Sequence, residues 1–181
     1  GRTDPDARGR AGGDPRRETL TLVRTQDDRT FYRSEDGNYW RTYEYIDGAR
    51  TYETADDHSL IYNASKAFGN FQKLLADLPG ERLHETIPNF HHTAQRYTVF
   101  LQALQSDIKN RAHLAQPEID FVLKREAETS VVVDLLAKGE LPERITHNDT
   151  KLNNVLIDDL TRQGICVIDL DTVMPGTVLY D

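Results

Sequence analysis

The feature that most constrains this chain is a polar run, His147-Asn148-Asp149-Thr150-Lys151-Leu152-Asn153-Asn154, set directly before two short apolar segments at residues 155–157 and 165–168. The run is too dense in polar side chains for a core element, so it reads as a loop. The two apolar segments are strand-like and are joined by a turn at residues 158–164, so they predict an antiparallel hairpin. The second strand ends in Ile168-Asp169-Leu170-Asp171, which places Asp169 at the strand end beside the polar loop. Spacing alone therefore gathers Asp149, Lys151, Asn154 and Asp169 into one neighbourhood. A pattern H-x-D-x-x-x-x-N arises by chance in roughly one chain in a hundred, and the hairpin requirement makes coincidence much rarer.

Those four side chains match the needs of phosphoryl transfer from ATP, where catalysis is mostly positioning and neutralisation of phosphate charge. Asp149 is the candidate base that orients and deprotonates an acceptor hydroxyl. Lys151 is placed to reach the γ-phosphate. Asn154, through its amide oxygen, and Asp169, through its carboxylate, are the candidate Mg²⁺ ligands, both hard oxygen donors. His147 is expected to hold the loop by hydrogen bonds without transferring protons.

Upstream the pattern changes along the chain. Residues 1–18 are rich in Gly, Arg, Asp and Pro with no hydrophobic period, and they read as a disordered or truncated lead-in. Residues 19–23, 30–33 and 39–46 are β-prone, with a turn at Glu35-Asp36-Gly37-Asn38, which predicts a small antiparallel sheet ending at Asp47-Gly48. Three helices follow. The first is capped by Asp56 or Asp57, carries Leu60, Ile61, Ala64, Ala67, Phe71, Leu74, Leu75 and Leu78, and stops at Pro79-Gly80. The second is expected over about 93–113 and the third over about 117–138, capped by Gly139. The fold class is α+β, with a small sheet at 19–48 and a mainly helical region at 49–181.

Composition sets further limits. A formal charge of -8 disfavours nucleic-acid and anionic-membrane partners, which call for clustered Lys and Arg. No apolar stretch is long enough to span a bilayer, and the start of the chain carries no signal-peptide pattern, so the default location is cytoplasmic. The single cysteine, Cys166, lies in the apolar run Ile165-Cys166-Val167-Ile168 and is expected in the core. His91-His92 lacks the further ligands a metal pair would want, and is either structural or a wall of an acceptor pocket. The pattern is silent on oligomeric state.

The loop and hairpin resemble those of the aminoglycoside phosphotransferase and protein-kinase-like superfamily at His147, Asp149, Lys151, Asn154 and Asp169; Leu170 departs from the aromatic often found after the metal aspartate. A closer resemblance is to the N-acetylhexosamine kinases. It rests on Gly12-Gly13-Asp14-Pro15, Tyr39-Trp40-Arg41, Ile87-Pro88-Asn89-Phe90-His91, the run around Asp149, and Ile168-Asp169-Leu170-Asp171-Thr172-Val173-Met174-Pro175-Gly176. The resemblance implies a kinase-like fold with a partial N-lobe sheet and a helical C-lobe, truncated at both ends. It implies ATP and Mg²⁺ as co-reactants and transfer to the anomeric hydroxyl of N-acetylglucosamine or N-acetylgalactosamine. Glu44, Tyr45 and Ile46 would then form the hinge whose backbone holds adenine. The phosphate loop, the lysine that grips the α- and β-phosphates and its glutamate partner would lie upstream of Gly1, so the 181 residues alone are expected to be inactive.

Three other readings remain open on the sequence. A kinase of an aminoglycoside, choline or homoserine would share the same base and metal groups. A kinase-like binding protein would keep the fold without the reaction. Asp169-Leu170-Asp171 as the D-x-D of a nucleotide-sugar glycosyltransferase would leave the upstream H-x-D-x-x-x-x-N without a task.

Overall fold

The computed structural model describes residues 13–55 and 57–181, and the chain divides into two compact units. One comprises residues up to Leu75 together with Asp149–Leu170; the other comprises Ala76–Asn148 with Asp171–Asp181.

The first unit begins with a single helical turn, α1 (Pro15–Glu18), where the sequence shows no period. Asp14 accepts the Arg16 N–H at 3.0 Å and Pro15 supplies a preset φ, so one cap and one proline suffice. Next come two strand pairs. β1 (Leu22–Val23) pairs antiparallel with β4 (Thr42–Tyr43), and β2 (Tyr32–Arg33) with β3 (Tyr39–Trp40). The predicted turn closes the second pair: Asp36 accepts from Ser34 and Asn38, and Gly37 takes φ 88°. The small sheet expected from the sequence is thus two separate ribbons.

β5 (Ala49–Arg50), β7 (Val155–Asp158) and β8 (Gly164–Val167) form a three-stranded antiparallel sheet in the order β5-β7-β8. Helix α2 (His58–Leu75) lies on it. Leu60, Ala64 and Phe68, at steps of four, meet Val155 and Ile157, which share a strand face at a step of two. Burial of each of Leu60, Phe68, Val155 and Ile157 contributes about 1.5–3 kcal/mol. Residues of the other face, Leu156 among them, pack with Ile46, Ala49 and Cys166. Asp57 starts α2 by accepting the Leu60 N–H at 2.9 Å; Asp56 lies outside the described residues. The helix ends at Leu75, one turn before the expected Leu78.

The second unit corrects both later helix expectations. α3 (Thr93–Ser106) starts where expected, capped by the His92 ring nitrogen, but stops at Asp107 rather than near His113. There Asp107 takes φ 29° and its carboxylate accepts the N–H groups of Arg111 and Ala112 at 2.9 and 3.2 Å, starting a separate 3₁₀ turn. The single helix over 117–138 is instead α4 (Gln116–Leu123), a 3₁₀ turn and α5 (Val131–Ala137). Arg125 ends α4 by folding over the Phe121 ring and donating to the Phe121 carbonyl at 2.9 Å. Thr129 then donates back to the Glu126 carbonyl, and Ser130 to Asp134, the local bonding by which Ser and Thr compete with a continuous helix. Gly139 follows α5 at φ 71°, as its cap role requires. β6 (Arg144–Thr146) pairs antiparallel with β9 (Met174–Gly176). Among the described residues no helix is long and apolar enough to cross a membrane.

Candidate active site

In the second unit, β6 delivers Thr146, His147 and Asn148 into full burial. Burying three polar residues together is costly unless their groups are bonded. Asn148 solves this with its side chain. Its oxygen accepts from the Thr146 hydroxyl at 3.0 Å, and its NH₂ donates to the carbonyls of Thr146 and Thr172 at 3.0 and 2.9 Å. Its backbone sits at φ 68°, a region Asn tolerates better than most residues. The backbone N–H groups of His147 and Asn148 donate to the two oxygens of the Asp181 carboxylate, at 2.9 and 2.7 Å. The Asn148 carbonyl accepts from His91 Nε2 at 2.7 Å, and the His91 ring stacks on Tyr180 with centroids 4.4 Å apart.

The other expected residues belong to the first unit. Asp149 Oδ2 receives Lys151 Nζ at 2.8 Å and Asn154 Nδ2 at 3.2 Å; the same Asn154 amide donates to the Asp149 carbonyl at 2.8 Å. The structure therefore brings together three of the residues singled out in the loop. Because Asn154 turns its NH₂ toward Asp149, its amide oxygen is the atom left for a cation. Asp169 enters through the hairpin: the Ile168 N–H donates to the Asn154 carbonyl at 2.9 Å, and the next residue, Asp169, takes φ 60°. The hydrogen bond to Asp149, followed by the fields of Asp149, Asp169 and Glu53, raises Lys151 above the ordinary ammonium range. Lys151 is thus held as a firm cation against Asp149.

Glu44, Tyr45 and Ile46 follow β4 in the same unit. The Glu44 N–H is taken by the Thr21 carbonyl at 2.9 Å, Tyr45 is 85% exposed, and Ile46 is core. Two residues escaped the sequence reading. Glu53 accepts from Asn153 at 3.1 and 3.2 Å and adds to the field on Lys151, yet it lies in a segment without hydrophobic period. Asp181 had no motif to announce it.

A sequence model described as the phosphotransferase enzyme family matches residues 18–181. The chain belongs to that family. Phosphotransferases of this family are kinase-like in fold, in keeping with the mixed helices and small antiparallel sheets here, and they use ATP and Mg²⁺. The donor set fits the ion. Among the described residues no group of three His, Cys, Asp or Glu side chains could cage a metal, whereas one carboxylate and one amide suit Mg²⁺, which takes few protein ligands and fills its shell with phosphate and water.

Proposed function

We propose that the protein transfers the γ-phosphoryl group of ATP to a hydroxyl of a small sugar, with Asp149 as the base. The observation that carries this reading is the contact of Asp149 with both Lys151 and Asn154, at 2.8 and 3.2 Å. It unites a proton acceptor, a cation and an amide oxygen donor within six residues of chain. In the reaction the Asp149 carboxylate takes the proton of the acceptor hydroxyl as its oxygen bonds to the γ-phosphorus, and the bond to the β-phosphate oxygen breaks to leave ADP. Lys151 pairs with Asp149 when phosphate is absent and with a γ-phosphate oxygen when ATP is bound. Bound Mg²⁺ neutralises charge on the phosphate oxygens, and Asn154 and Asp169 are the residues that would hold it. Backbone groups of Glu44 and Ile46 are assigned to adenine.

The acceptor class follows from the resemblance of Tyr39-Trp40-Arg41, Ile87–His91 and Ile168–Gly176 to the N-acetylhexosamine kinases. It points to the anomeric hydroxyl of N-acetylglucosamine or N-acetylgalactosamine. The test is ADP release by the natural full-length product with Mg²⁺-ATP and, in turn, N-acetylglucosamine, N-acetylgalactosamine, an aminoglycoside and choline. Turnover on the amino sugars that falls at least about a thousandfold in Asp149→Asn, with the fold kept, supports the reading. Turnover on choline or the aminoglycoside alone overturns the acceptor. Unchanged turnover in Asp149→Asn overturns the base.

A further inference from the structure

Glu53 lies in the first unit, in the stretch between β5 and α2, and that stretch is anchored along its length. Before Glu53, Arg50 makes a two-bonded pair with Asp159, at 2.6 and 3.0 Å. On either side of it Tyr52 and Ala55 pack on the core that α2 shares with β7, and Arg162 donates to the Tyr52 hydroxyl. The backbone that carries Glu53 is therefore fixed, and from it the side chain reaches the loop that holds Asp149.

Across 100 residues of chain, the two Glu53 carboxylate oxygens accept from the Asn153 NH₂ at 3.2 and 3.1 Å. A bond to an ionised carboxylate is stronger than one between neutral groups. The Asn153 amide oxygen is shielded from solvent and, among the described residues, has no hydrogen-bond partner. The direction of this amide is thus set from one side, by Glu53. Turned over, it would bring its oxygen against a carboxylate, two acceptors facing each other.

Asn153 is the middle residue of a single 3₁₀ turn, Leu152–Asn154, and each residue of the turn is held by a different group. Leu152 packs on the core of α2 and β7, Asn153 is bonded to Glu53, and Asn154 donates to the Asp149 carbonyl and carboxylate at 2.8 and 3.2 Å. Neighbours in so tight a turn share rigid peptide planes, so a shift at Asn153 passes directly to Asn154. Charge adds little. Among the causes that hold Lys151 above the ordinary ammonium range, the hydrogen bond to Asp149 comes first and the field of Glu53 last. What Glu53 supplies to the loop is its bond to Asn153.

We infer that Glu53 is a positioning residue: by fixing Asn153 it aims the next side chain, so that the Asn154 NH₂ faces Asp149 and the Asn154 oxygen is left for a cation. Its consequence for metal binding rests on the phosphotransfer reading above. A group that orients a metal ligand from behind commonly changes metal affinity by about ten- to a hundredfold when it is removed.

The test uses the natural full-length product with isotope-labelled asparagine, and the variants Glu53→Ala, Glu53→Gln and Asn154→Ala. Glu53 is exposed, so neither of its substitutions opens the core. The first readout needs no metal and no acceptor: exchange of the Asn154 NH₂ hydrogens with water, measured by NMR. It should quicken about tenfold in Glu53→Ala and stay within about twofold of wild type in Glu53→Gln, whose amide oxygen still accepts from Asn153. The second readout is Mn²⁺ binding in the presence of ADP, followed by electron paramagnetic resonance. Glu53→Ala should weaken it about tenfold, and adding Glu53→Ala to Asn154→Ala should weaken it no further, because Glu53 acts through Asn154. Unchanged Asn154 exchange in Glu53→Ala overturns the assignment. So does an equal loss in Glu53→Gln, or a loss of Mn²⁺ that adds to that of Asn154→Ala. Mn²⁺ binding indifferent to Asn154→Ala sinks instead the metal role given to Asn154 in the phosphotransfer reading, and the exchange readout then decides for or against Glu53 on its own.

Discussion

Asp181 offers the sharpest test of how the loop is held. Its carboxylate spans two consecutive backbone N–H groups, those of His147 and Asn148, at 2.9 and 2.7 Å, and both residues are almost wholly buried. Asp181→Asn keeps the shape but supplies only one accepting oxygen, and that one uncharged. One N–H is then left buried without its partner, at a cost of about 1–3 kcal/mol, and the other loses the charge-assisted part of its bond. A local loss of about 2 kcal/mol corresponds to roughly thirtyfold faster opening at these positions. Amide hydrogen exchange measures it directly. The His147 and Asn148 amides should exchange roughly thirtyfold faster in the variant, while amides of α2 and β7, in the other unit, keep their wild-type rates. Unchanged exchange at the two amides would refute the grip. An equal increase everywhere would refute its local character.

Other expectations concern the first unit. A Cβ at Gly164 would lie 2.7 Å from the Asn63 carbonyl and 2.8 Å from Ala67 Cβ, so Gly164→Ala should push α2 off the sheet, costing about 1–3 kcal/mol, read as a lower urea midpoint. The Asp158 carboxylate closes the β7–β8 turn by accepting from the backbone and hydroxyl of Thr161, from Leu160 N–H and from Arg17; these bonds, the Thr161 ones foremost, hold it below the usual carboxylate range. Its contribution is complete above the ordinary Asp value and lost as pH falls through the lowered one, so the acid limb of a stability–pH profile should flatten in Asp158→Asn. Burial pushes the Cys166 thiol up to about 11, and the side chain is only 1% exposed, so a thiol reagent at pH 8 should label it only at the unfolding rate; rapid labelling of native protein would contradict its packing.

What could be read from the sequence was whatever a short pattern carries. Val155 and Ile157 alternate, the turn follows, and Asp169 arrives at the strand end, so the loop and hairpin were legible to within a residue or two. The β6–β9 pairing was not. It joins Thr146 to Met174 across 28 residues through strands of three, and Pro175 in the middle argues against a strand on sequence grounds. Helical periodicity marked Ile119, the buried residue of α4, and the half-buried Val132, Leu135 and Leu136 of α5, but not the break between the helices, because the break depends on Arg125, Thr129 and Ser130 bonding to their own neighbours. At the site, Asp149, Lys151 and Asn154 share one motif and were found together. Glu53 and Asp181 reach the loop from segments with no period and no motif, and only the folded chain discloses them.

Several of the grips on the loop fall on its main chain. Asp181 takes two N–H groups, His91 a carbonyl, and the Asn154 amide the carbonyl of Asp149. Bonds of this kind do not inspect the side chain at the residue they hold. Leu152, lying between the gripped positions, is different, because its side chain packs on the core around Val155 and Ile157; a library should therefore return folded protein far more often at exposed Lys151 than at Leu152 or Asn148.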